Sequence, residues 1–119
     1  MGEKSIVSVK SKAFAIRVVK LCRYLNDDKR EFVLSKQLLR CGTSIGANVR
    51  EAECAQSRAD FFAKLYVAYK EANETAYWLE LLFESGILAE NEFSSIYSEC
   101  RELLLILAAI TKQQKTVRN

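Results

Sequence analysis

A chain of 119 residues is long enough to close one hydrophobic core and too short for a second independent one, so a single domain is expected. Half of the residues are apolar and 28% are charged, with no proline and only four glycines, which excludes a disordered or strand-rich chain and predicts amphipathic helices. The net charge of +3 hides an asymmetry: residues 1–50 carry eleven Lys/Arg against four Asp/Glu, whereas residues 51–119 carry seven against eleven, so any polyanion contact belongs to the first half.

Near the amino terminus the only apolar cluster is Ile6, Val7 and Val9, far short of a signal peptide core. No stretch approaches the roughly 20 apolar residues of a membrane span, so a cytoplasmic protein without membrane contact is expected. Cys22, Cys41, Cys54 and Cys100 form no CxxC pair and read as reduced packing side chains.

In chain order, the first helix is predicted over about 8–26, beginning near Ser8 or Ser11 and stopped at Asn26-Asp27-Asp28. Phe14, Val18, Leu21 and Leu25 recur at helical spacing along its core side. Lys10, Lys12, Arg17, Lys20 and Arg23 are read as a basic stripe on the opposite side. A second helix, about 35–56 with Ser35 as N-cap, carries the heptad seam Leu34, Leu38, Cys41, Ile45, Asn48, Ala52 and Ala55. Its small residues Gly42, Thr43, Ser44, Gly46 and Ala47 predict close backbone packing, because each interior glycine otherwise costs about 1 kcal/mol.

Ser57 and Asp60 form a variant capping box, so a third helix is expected over 58–84, ending at Gly86. Its seam is Phe62, Leu65, Tyr69, Ala72, Ala76, Leu79 and Phe83, but Phe61, Tyr66, Val67, Tyr77, Trp78, Leu81 and Leu82 make it apolar on other faces too. A fourth helix, about 90–114, has the seam Phe93, Ile96, Cys100, Leu103, Leu107 and Ile110, with Leu104 and Leu105 broadening its apolar surface. Short connections force antiparallel neighbours, hence an all-α, up-down-up-down four-helix bundle. One core cannot absorb all of this surface, so a homo-oligomer is expected, with Tyr66, Tyr77, Trp78, Leu104 and Leu105 as candidate interface residues.

Residues 36–88 contain Lys36-Gln37-Leu38-Leu39-Arg40, Gly42-Thr43-Ser44-Ile45-Gly46-Ala47-Asn48-Val49-Arg50-Glu51-Ala52, Ser57, Asp60-Phe61, Lys70-Glu71-Ala72-Asn73-Glu74-Thr75 and Tyr77-Trp78-Leu79-Glu80-Leu81-Leu82. In these runs the chain resembles the four-helix bundle proteins encoded within intervening sequences of bacterial 23S ribosomal RNA genes. Cys41 stands where that family usually has serine. The resemblance implies a ring-shaped homopentamer and supplies no established activity. Similarity in shape to the accessory variability determinant proteins of diversity-generating retroelements implies contact with nucleic acid and with a nucleic-acid enzyme.

Glu71 and Glu74 share a helix face, as the glutamates of di-metal bundles do, but those sites also use histidine and this chain has none. Gln37, Ser44, Asn48, Glu51, Glu71 and Glu74 are therefore read as a structural polar network in which Glu51 or Glu71 pairs with Arg40 or Arg50, with no metal and no cofactor. Without histidine or a Gly-x-Ser-x-Gly elbow there is no nucleophile with a base, and Gly42–Gly46 lacks the lysine of a phosphate-binding loop. The expectation is a non-enzymatic homo-oligomeric adaptor contacting RNA, in a ribosomal RNA context, through Lys12, Arg17, Lys20, Arg23, Lys36, Arg40 and Arg50. The alternative is a protein-binding scaffold whose positive charge is only a solvated face.

Overall fold

The computed structural model describes the backbone of residues 5–118 and the side chains of residues 5–114. The helices are α1 (Ile6–Asp27), α2 (Val33–Glu53), α3 (Arg58–Glu84) and α4 (Glu90–Arg118), and no strand occurs among the described residues. Each helix packs on the next and α4 closes back on α1, so the chain forms a four-sided bundle whose α1–α4 side is the most sparsely packed.

The helix ends show which local signals act. Ser57 caps α3 by accepting from the Asp60 amide at 3.0 Å, as the capping box predicts, while the Asp60 carboxylate accepts from the Gln56 amide at 3.2 Å, one residue before the cap amide that such a box uses. The α3 terminus is a Schellman turn. Gly86 takes φ +84°, its amide donates to the Phe83 carbonyl at 3.1 Å, and the Ile87 amide donates to the Leu82 carbonyl at 3.0 Å.

The α1 and α2 starts differ from expectation. At α1 the cap is Ser5, whose hydroxyl accepts from the Ser8 amide at 3.2 Å, so Ser8 lies inside the helix and Ser11 is buried. Ser35 is not the α2 cap. The helix begins at Val33, and Glu31 takes the capping role by accepting from the Leu34 amide at 3.0 Å. Ser35 is buried and donates to Asn26 Oδ1 at 2.5 Å, tying the α1–α2 connection to α2. α2 also ends at Glu53, before the expected Gln56.

The core holds Phe14, Val18, Cys22 and Leu25 from α1, Leu38, Cys41, Ile45 and Val49 from α2, Leu65, Ala72, Ala76, Leu79 and Leu82 from α3, and Ile96, Cys100, Leu103 and Leu107 from α4. A strict heptad reading drifts from this set. On α2 the buried line passes through Ser35, Leu38, Cys41, Gly42, Ile45, Val49 and Ala52, replacing Leu34 by Ser35 and Asn48 by Val49. A straight helix turns every 3.6 residues, so a period of 3.5 slips by about 20° per heptad and names the neighbouring residue after two or three heptads. On α3 the buried line runs one residue the other way, taking Ala68 for Tyr69 and Leu82 for Phe83.

The small residues of α2 do bring the backbones together: a side chain on Gly42 would meet Val18, and one on Gly46 would meet the Ser11 carbonyl. Across α3 and α4, Phe83 stacks on Phe93 with ring centres 4.4 Å apart, and Phe93 on Tyr97 at 4.7 Å.

Candidate nucleic-acid interface

The basic stripe of α1 divides into two faces. Lys10 Nζ lies 3.1 Å from Glu102, and Arg17 Nη1 lies 2.7 Å from Glu99 and 3.0 Å from the Ser95 hydroxyl. One heptad further on, the Tyr24 hydroxyl donates to Glu92. That bond raises the Tyr24 phenol above its usual pKa, and the same bond with the Ala89 amide holds the Glu92 carboxyl below the usual carboxylate range. Lys10, Arg17 and Tyr24 thus repeat every seven residues along α1 and bind carboxylates of α4, closing the sparsely packed side with polar contacts.

Arg17 is turned about 140° from Lys12 around the helix at 100° per residue, which is why the two part company. It belongs to the α4 seam and is no free phosphate contact. Arg40 is likewise taken. Its guanidinium lies 3.4 Å from Glu71 and 2.5 Å from Glu74 on α3.

The remaining cations are Lys12, Lys20 and Arg23 on α1 and Lys36 and Arg50 on α2. All five are exposed, and among the described residues none has a carboxylate partner. Lys12 and Arg50 line one recess of about 230 Å³ over the α1–α2 seam, together with Ser8, Ala15, Thr43, Gly46 and Ala47. No carboxylate lines it. By contrast, the recess of about 400 Å³ between α1 and α4 sets Arg17 and Lys20 against Glu92, over an apolar floor of Leu21 and Ile96.

The polar network forms in part. Arg40, Glu71 and Glu74 meet, and Trp78 Nε1 donates to the same Glu74 at 3.1 Å. Ser44 and Asn48 satisfy themselves on their own helix, donating to the Arg40 carbonyl at 2.6 Å and the Ser44 carbonyl at 2.9 Å. Gln37 and Glu51 stay outside it, Glu51 because it is exposed. Both candidate metal carboxylates are occupied by Arg40, so the pair works as an α2–α3 clamp.

The sequence profile described as 23S rRNA-intervening sequence protein matches residues 3–109, nearly the whole chain. The chain belongs to this family. A crystal structure from the S23 ribosomal protein family of Bacteroides thetaiotaomicron VPI-5482, of a protein with unknown function, superposes with a TM-score of 0.88 at 52% identity, covering 90% of this chain and 99% of that one. The comparison with curated proteins returns no match.

In this 23S rRNA-intervening sequence protein the surplus apolar surface is present but distributed differently from expectation. Tyr66, Tyr77 and Leu105 are more than half exposed. Trp78 is half-buried, and Leu104 packs into the core at 6% exposure, so it cannot serve as an interface side chain. Adjacent leucines on a helix point about 100° apart, and α4 aims the first inward and the second outward.

Sequence reasoning missed the exposed apolar residues of the first half, Val9, Ile16, Phe32, Val33 and Leu39, which interleave with the free cations. The signal for Val9 and Ile16 was available: both lie within about 60° of Lys12 on the helical wheel. It also missed the α4 carboxylates, although Glu92 and Glu99 carry the same seven-residue spacing as Lys10, Arg17 and Tyr24. Among the described residues no helix is long and apolar enough to cross a membrane.

Proposed function

We propose that this protein is a non-enzymatic, homo-oligomeric binding protein of the cytoplasm that engages RNA through the outward face of α1 and α2. The supporting observation is the division of the cations: those that hold the bundle together are paired with carboxylates, while Lys12, Arg23, Lys36 and Arg50, with Lys20 nearer α4, are exposed and have no carboxylate partner among the described residues. An exposed cation gains little from structure and much from a phosphate backbone, whose counterions it displaces. The family's description, which names the 23S rRNA intervening sequence, supports ribosomal RNA as the ligand class of this reading. Self-association into the ring-shaped homopentamer implied by the family resemblance would cover Tyr66, Val67 and Tyr77 and would repeat the basic face around an axis, multiplying weak contacts.

Titrating labelled single-stranded RNA with the intact protein by fluorescence anisotropy tests this reading. Binding is expected to weaken linearly on a log-log salt plot with a slope of about −0.7 per phosphate contact, hence roughly −3 for four or five contacts. No association at low salt would overturn it. The second reading, a protein-binding scaffold, is favoured by the exposed aromatic side of α3, where Tyr66 and Tyr69 stack at 5.9 Å beside Lys70 and Tyr77. It predicts capture of a protein partner that is insensitive to Lys12 and Arg50.

A further inference from the structure

We infer that the α1–α2 seam is a linear track for a phosphodiester backbone, flanked at each end by one cation from each helix, Lys12 with Arg50 and Arg23 with Lys36. This deepens the RNA-binding reading above and rests on it. The first pair is fixed by the shared recess, where one cation stands on each helix over a floor of Ala15, Gly46 and Ala47. That floor carries no long side chain because the helices touch there: a Cβ on Gly46 would already lie 3.3 Å from the Ser11 carbonyl oxygen. A phosphate can therefore come down between the two walls, where Arg50 can meet it with two parallel N–H donors and Lys12 with a point charge.

The second pair follows from register. Cys22 Sγ donates to the Ser35 carbonyl at 3.3 Å, which sets those residues at one level of the seam, and the next residues, Arg23 and Lys36, turn about 100° from that contact and are exposed at the same level. Arg23 lies eleven residues, or three turns, beyond Lys12 and so looks out on the same side of α1. Lys36 lies fourteen residues, nearly four turns, before Arg50 on the same side of α2. Along α1 the two ends are about 16 Å apart at 1.5 Å per residue. That length equals the axial rise of about five nucleotides of a stacked strand, at roughly 3.4 Å of helix axis each. Between the ends lie the exposed Ile16 and Leu39, apolar surfaces against which base faces can rest.

The assay is anisotropy of labelled single-stranded RNA against four forms of the full chain: unaltered, K12Q/R50Q, R23Q/K36Q, and R58Q/K70Q. The last removes the same two charges from α3. Each track double is expected to weaken binding by about tenfold or more, and to flatten the salt slope by about 1.4, for two lost charge-assisted contacts. R58Q/K70Q is expected to stay within about twofold of the unaltered protein, as a distant screened charge should. Unchanged binding by K12Q/R50Q, or equal losses in all three doubles, would overturn the track while leaving RNA binding intact. Failure of the unaltered protein to bind would overturn the underlying reading and the track with it.

Discussion

Valine in place of Gly42 lowers the melting temperature by roughly 10 °C, the expected result of about 2–3 kcal/mol of overpacking at about 4 °C per kcal/mol for a chain of this size. A Cβ at position 42 would sit 2.8 and 2.9 Å from the two γ carbons of Val18, closer than such atoms come. Val18 is fully buried and β-branched on a helix, so its one preferred rotamer cannot swing aside. Gly42→Ala is milder. Alanine recovers about 1 kcal/mol of helix propensity against a clash of about 1–3 kcal/mol, for a net loss near 1 kcal/mol. The cause is separable from propensity, because Val18→Ala removes both clashing carbons. In circular dichroism melts the G42A/V18A double should be clearly more stable than the sum of the single losses predicts. Additive losses would mean that Gly42 is retained for some reason other than the approach of α1.

Cys54 reacts with an aromatic disulfide reagent at least about a hundredfold faster than the other three cysteines in the folded protein, as burial and thiolate fraction require. Cys54 is exposed, whereas Cys22, Cys41 and Cys100 are buried. Burial pushes the Cys22 and Cys100 thiols up to about 12 and Cys41 up to about 11. At pH 8 a thiol with pKa 12 is ionised in roughly one molecule in ten thousand, and only the thiolate attacks. The buried thiols also give their protons to carbonyls, Cys22 to Ser35 at 3.3 Å and Cys100 to Ala72 at 3.4 Å. One thiol per chain should therefore react promptly, the fast phase should vanish in Cys54→Ser, and the other three should appear only on unfolding. Two or more thiols reacting at one rate would show that the core opens more readily than its packing implies.

The bundle was legible because its signals are local and repeated. Ser57 with Asp60, and Gly86, marked both ends of α3, and the apolar spacing marked all four helices. The α1 and α2 starts were not, since several residues near each end can cap, and the choice between Ser5 and Ser8, or Glu31 and Ser35, depends on which side chain the core needs. Ser35 is needed inside, against Asn26.

The candidate site was half legible. Its residue types and its place in the first half of the chain followed from charge asymmetry. The partition of those charges did not, because Lys10, Arg17 and Arg40 look like Lys12, Arg23 and Arg50 until α4 and α3 bring their glutamates to them. Pairing between distant helices is a property of the packed bundle, and only the seven-residue spacing of Lys10, Arg17 and Tyr24 hinted at it. Leu104 and Leu105 show the same limit at finer scale, since a drift of a few tens of degrees decides which of two neighbours is core.

The most direct test of the central claim is the particle that the protein forms in its native cells, purified at low salt and followed by light scattering with absorbance at 260 and 280 nm. The account predicts a mass that is a multiple of the 13.6 kDa chain, together with a nucleic-acid absorbance that ribonuclease removes. A particle free of RNA, whatever its subunit number, would contradict it.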